Sequence, residues 1–214
     1  MKLVIGNRRY SSWSLRGWLA LKQAGLAFDE VVIPMDTAEW ARAKTNPALM
    51  PSGKVPVVID GDVAVWESLA IIDWLADRVG RERFWPADDA ARALARSMAA
   101  EMHAGFAPLR QHCPMNTGRR YPSWPLTPEV ERDIGRIDAL WREALALSGG
   151  PFLFGDFGAA DIMYAPVVTR FRTYDIVVSD AAEAYCDSVM AHSFMAAWYA
   201  EADTETWRID RIEF

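Results

Sequence analysis

The sequence predicts an α/β unit over residues 1–80, a short linker at 81–89, and an all-helical unit over 90–214. Three observations carry this. Short apolar runs alternate with helix-period stretches in the first part, in the order βαβ, α, ββα. Strand signals then stop, and the rest is long helical periodicity. Between the two lies a charged segment containing Phe84-Trp85-Pro86.

Leu3-Val4-Ile5-Gly6 is a short buried strand that glycine ends, and Asn7 to Ser12 is a polar loop rich in turn and cap residues. From Trp13 the period becomes helical, with Leu15, Trp18, Leu19 and Lys22 on successive turns until Gly25. Phe28 to Ile33 is the next strand, and strand-helix-strand order predicts a parallel pair. Thr37 to Lys44 is a short helix that Asn46-Pro47 closes. Strands at 55–60 and 63–65 form a hairpin around Asp60-Gly61. Leu69, Ile72, Leu75, Ala76 and Val79 give the following helix one apolar face, and Gly80 ends it. This is the thioredoxin-like arrangement. Helices are predicted over about 89–111, 128–148, 159–172 and 180–201, with Ile176-Val177-Val178 as a short strand or loop. Thr127-Pro128 places a cap and a proline at a helix start.

The chain has 214 residues, enough for a full core without staples, and its 51% hydrophobic and 24% charged content is that of a folded soluble protein. A net charge of −6 argues against a general nucleic-acid surface. No apolar run approaches membrane-spanning length and no signal segment opens the chain, so a cytoplasmic location with no membrane partner is expected. Cys113 and Cys186 form no CxxC and no metal-spaced cluster, so no metal is expected and both are expected as buried free thiols.

The most informative stretch runs from Lys54 to Ile72. Pro56 stands at the head of a strand, where it has no ladder bond to donate, and proline is the residue most able to take a cis peptide. A cis bond there aims the amide and carbonyl of Val55 outward, toward an extended peptide. Glu67 and Ser68, at a helix start, can hold a ligand's ammonium and carboxylate. Together these features describe a docking site for a small peptide-like molecule.

Val55-Pro56 with Glu67-Ser68-Leu69-Ala70-Ile71-Ile72 resembles the glutathione-site signature of the glutathione S-transferases. Tyr10-Ser11-Ser12-Trp13-Ser14-Leu15-Arg16 is similar to the active-site opening of the zeta class and its bacterial relatives. The resemblance covers most of the chain. It implies that Val55, Pro56, Glu67 and Ser68 bind glutathione as cosubstrate, with Lys54 reaching its glycyl carboxylate. It also implies a homodimer acting on a small electrophile, in the manner of a detoxification enzyme.

Ser11 is the leading catalytic candidate, and Ser12 is the alternative one residue on. Thioredoxin-like proteins carry a reactive cysteine at this place, and a serine there implies that the thiol is borrowed from the ligand. Lowering a thiol pKa by two units needs about 2.7 kcal/mol. A hydrogen bond to a charged group supplies about 1.5–3 and a helix N-terminus about 0.3–2. The zeta class carries a cysteine two positions after its first serine. Trp13 in that place argues against the class's isomerase activity and reshapes the pocket.

The second-substrate pocket is expected between the two units, from Trp13, Trp40, His103, Phe106 and Arg110. His103, Phe106 and Arg110 share one face of the helix predicted over 89–111. Arg16 is expected to make either a structural ion pair or a ligand contact. Gly155 to Ile162 resembles the family's N-capping box and hydrophobic staple, with Gly158 where serine or threonine is usual. The expected activity is that of a glutathione transferase. The alternatives are a glutathione-dependent isomerase of the maleylacetoacetate isomerase type, a peroxidase-type or mixed-disulfide reductase, and a non-catalytic binding or carrier protein.

Overall fold

The computed structural model describes residues 1–214. The first part contains β1 (Lys2–Ile5), α1 (Ser12–Ala24), β2 (Asp29–Val32), α2 (Ala38–Lys44), β3 (Val57–Asp60), β4 (Val63–Trp66) and α3 (Ser68–Val79). The sheet order is β2-β1-β3-β4, with β1 and β2 parallel and the other pairs antiparallel. This is the thioredoxin-like arrangement expected from the order of elements.

Alternation along β1 sorts the core. Leu3 and Ile5 join the large cluster that includes Leu15, Leu19, Ile71 and Leu75 from α1 and α3. Val4 points the other way, into a small cluster with Ile33, Ala43, Met50 and Val57. Gly17 on α1 is required by a close approach, because a Cβ there would stand 2.5 Å from the Cβ of Pro56.

After a 3₁₀ turn at Arg81–Arg83 the chain is helical: α4 (Asp89–Ala104), α5 (Ala107–His112), α6 (Pro128–Ser148), α7 (Ala159–Thr173), α8 (Asp180–Ala191) and α9 (Ser193–Thr204). In α7 every residue except Arg172 is buried, so this helix is the axis of the helical part, and it packs on α1, α4 and α8. The cap at its start also explains Gly158. A Cβ there would meet the Phe84 carbonyl oxygen at 2.8 Å, the same oxygen that accepts from Ala159 N–H at 2.8 Å. Asp161 supplies the surviving half of the box, accepting from Gly158 N–H at 2.9 Å and Leu153 N–H at 3.1 Å.

Two expected helices are broken. The 89–111 helix divides at Gly105 and Phe106: Phe106 takes a left-handed φ of 55°, and Pro108 lies in the first turn of α5. The 180–201 helix divides at His192, whose extended backbone and ring Nδ1 cap α9. Ile176-Val177-Val178 is loop, with Val177 almost fully exposed. No helix is long and apolar enough to cross a membrane.

Candidate active site

Where β3 and α3 begin, a cavity of about 320 Å³ opens between the sheet and the helical part. One wall is the loop Ser52, Lys54, Val55 and Pro56. The other is Trp13, Glu67, His103 and Arg110. The Val55-Pro56 peptide is cis. Neither the N–H nor the C=O of Val55 makes a hydrogen bond within the chain. A peptide edge is therefore free beside a carboxylate and a lysine. The two most voluminous cavities, of about 540 and 550 Å³, lie by Trp85 and Phe157 and by Trp124 and Tyr174. Neither is lined by a residue of this rim.

Glu67 precedes α3 with φ 67°, a conformation that costs a non-glycine residue on the order of 1–3 kcal/mol. Its carboxylate lies 3.5 Å from His103 Nε2. Burial, opposed by Glu67 and reinforced by Arg16 and Arg110, lowers the His103 pKa. The imidazole is thus neutral at pH 7 and does not neutralise the Glu67 carboxylate. Trp13 is edge-on to His103 at 5.3 Å, with the guanidinium carbons of Arg16 at 4.5 Å and Arg110 at 5.2 Å from its ring.

Ser11 and Ser12 precede Trp13 in the chain, are 7% and 9% exposed, and do not themselves line the cavity. Ser11 caps α1. Its hydroxyl oxygen accepts from Ser14 N–H at 3.2 Å and from the Ser14 hydroxyl at 2.7 Å. Ser14 Oγ in turn accepts from Gly6 N–H at 2.9 Å. The Ser11 oxygen is thus fully used as an acceptor, while its proton has no partner in the chain. Ser12 Oγ accepts from Arg170 Nη2 at 3.3 Å.

The structure corrects several expectations. Ser68 is fully buried, its hydroxyl facing Met163 Sδ at 3.7 Å, and it does not line the cavity. Trp40 packs against the small cluster of Val4 and Met50 and does not line the cavity. Phe106 is the buried turn between α4 and α5, so His103 and Arg110 meet across a helix break and not along one helix face. Arg16 makes no ion pair: its Nε donates to Met163 O at 2.9 Å and its Nη1 to Ser12 O at 3.4 Å. Cys113 and Cys186, by contrast, are buried free thiols as expected, and burial raises them to about 11 and about 12.

Sequence reasoning missed Ser14 and Arg170. The signal for Arg170 was a cation at the end of the apolar run Ile162 to Val168, a place where a charge needs a reason. Ser14 carried no signal, since a third hydroxyl after a cap is ordinary.

The cavity sits on a thioredoxin-like sheet and is closed by the helical part. Models of the glutathione S-transferase N-terminal and C-terminal domains match residues 10–78 and 67–201. The chain belongs to the glutathione S-transferase family. It is 32% identical over 132 residues to the glutathione S-transferase GstB of Escherichia coli K12, covering 56% of this chain and 60% of that relative, less than two thirds of its length. A zeta class glutathione S-transferase of Euphorbia esula is 27% identical over 177 residues, 80% of this chain and 78% of that one. A Burkholderia glutathione transferase homologue solved with bound glutathione has a TM-score of 0.71 at 19% identity, over 95% of this chain and 98% of the other, and shares its fold.

Proposed function

We propose that the protein is a glutathione transferase. It binds reduced glutathione in the 320 Å³ cavity, holds the sulfur as thiolate at Ser11, and directs it onto a small electrophile. The Val55 peptide pairs with the backbone of the tripeptide. Glu67, with the Ser68 amide at the head of α3, takes the γ-glutamyl ammonium and carboxylate, and Lys54 takes the glycyl carboxylate. In this reading residues 1–80 form the glutathione domain and 90–214 the helical domain, joined by 81–89. The electrophile lies against Trp13, His103 and Arg110. The thiolate donates its electron pair to the electrophilic carbon, a C–S bond forms, and a leaving group departs with its own pair or the adduct takes a proton.

The observation that carries the reading is the hydroxyl chain from Gly6 N–H through Ser14 to Ser11. It fills both acceptor positions of Ser11 and leaves its proton without a partner in the chain, at the N-terminus of a 13-residue helix, where an anion is favoured. Successive hydrogen bonds polarise one another, so this proton is a better donor to sulfur than that of an isolated serine.

The test is Ser11→Ala with glutathione and a panel of electrophiles. Turnover should fall about 10²-fold or more, while calorimetric affinity for S-methylglutathione stays within about threefold. Equal turnover in both proteins refutes the serine role. Turnover that leaves glutathione unconsumed points to isomerisation. Binding with no turnover on any electrophile points to a carrier. A cytoplasmic homodimer completes the proposal. Val63 and Trp66, exposed on edge strand β4, are apolar surface that a second copy would cover.

A further inference from the structure

Arg16 and Arg170 are almost fully buried, at 1% and 4% exposure, and neither meets a carboxylate. Arg170 donates through Nε to Cys113 O at 2.9 Å, through Nη1 to Pro166 O at 3.1 Å and through Nη2 to Ser12 Oγ at 3.3 Å. Arg16 uses Met163 O and Ser12 O, and its Nη2 is buried with no partner. Arg110, the third guanidinium of the group, donates to Gly105 O at 2.9 Å. Burial lowers both buried arginines, and the like charges of this group lower them further, Arg170 to about 10, so it stays a cation at neutral pH.

Three like charges converging without a counter-ion are costly. An anion held nearby offsets that cost. The groups that face the cluster do not supply one. Tyr164 on α7, Tyr174 just after it and Cys113 after α5 are all pushed up by burial and are neutral. His103 on α4 is neutral, and Lys54 across the cavity adds another cation. Glu67 is the one carboxylate at the cavity, and a glutathione ammonium would engage it.

Ser12 is where the cluster meets the candidate sulfur position. Its carbonyl accepts from Arg16 and its hydroxyl oxygen accepts from Arg170, so its own proton is free to donate away from both. We propose that Arg170 is a positioning residue for the thiolate: by holding the Ser12 hydroxyl, and with Arg16 behind it, it makes the helical domain a second stabiliser of the ionised sulfur beside Ser11. This rests on the glutathione reading. It assigns Ser11 and Ser12 parallel roles, one polarised by a serine chain and the other by a cation.

The experiment is ultraviolet difference titration of the thiolate band of bound glutathione against pH, in the unaltered protein, Arg170→Met, Arg170→Lys and Ser12→Ala. Affinity for S-methylglutathione is measured beside it. If the unaltered protein binds neither ligand, the glutathione reading itself fails, and that outcome is distinct from the ones that follow. The expected result is a midpoint about one unit higher in Arg170→Met, a tenfold loss of thiolate below the midpoint. S-methylglutathione affinity stays within about threefold, and Arg170→Lys recovers most of the shift. A purely structural role would weaken both ligands together and leave the midpoint in place, and that result overturns the proposal. Should Arg170→Met fail to fold, Ser12→Ala keeps the cation and removes the hydroxyl, and an unchanged midpoint there overturns the proposal equally.

Discussion

Two buried arginines cross the seam between the sheet and the helices, and they are neutralised in opposite ways. Arg8 ion-pairs with Glu30, with Glu201 at 2.6 Å and with Glu205 at 3.7 Å. Glu205 also accepts from the backbone N–H of Arg8 at 2.8 Å and of Arg9 at 3.3 Å. Arg170 has only carbonyls and a hydroxyl. A cation whose counter-charge is built into the chain holds the two parts together. A cation left without one is available to a ligand. Burial alone does not separate these uses; the partners do.

The comparison makes its largest prediction at Arg8. Arg8→Met leaves Glu205 buried without its cation, and breaking a buried pair in this way costs about 3–5 kcal/mol. For a chain of this size the melting temperature should fall by on the order of 10 °C. A fall below about 2 °C would dissolve the distinction between the two arginines. Gly158→Ala probes an uncharged seam contact. The collision with the Phe84 carbonyl should cost about 1–3 kcal/mol, read as a shift in urea midpoint.

Acid sharpens the contrast further. Burial alone would raise Glu213, but hydrogen bonds from Tyr10, Arg119 and Asn116 dominate and hold it at about 2. A depressed carboxyl contributes stability above its ordinary pKa of 4.5 and loses it as pH falls toward 2. Urea midpoints at pH 5 and pH 3 should therefore converge in Glu213→Gln relative to the unaltered protein; the same acid loss in both would remove Glu213 from the account. The smallest effect is expected at Arg170. Arg170→Met, exchanging an unpaired buried charge for an apolar chain, should stay within about 1 kcal/mol of the original stability. A loss as large as that of Arg8→Met would mean that the two arginines are not different in kind.

Much of this was legible in the residues. Period-two and period-3.6 patterns gave the four strands and placed α1, α3, α6 and α7 within a few residues. The breaks at Phe106 and His192 were not legible, because the apolar period runs on through both and only the backbone conformation interrupts it. The rim residues Lys54, Val55, Pro56 and Glu67 stood together in a local motif. Trp40 carried no local motif, and the structure puts it against the Val4 and Met50 cluster and not in the cavity lining. Arg170 lies 158 positions from Ser12, and no local pattern can announce a contact closed only by folding.

The loop that carries Ser11 is tied to the far end of the chain. Glu205 grips the backbone of Arg8 across 197 positions, and Glu213 takes the Tyr10 hydroxyl at 2.7 Å across 203. Closing loops of that length is entropically costly, and contacts of such separation belong late in folding. During synthesis the sheet can form while this loop still lacks its anchors, so the segment before α1 is held in place only after the last helix has emerged.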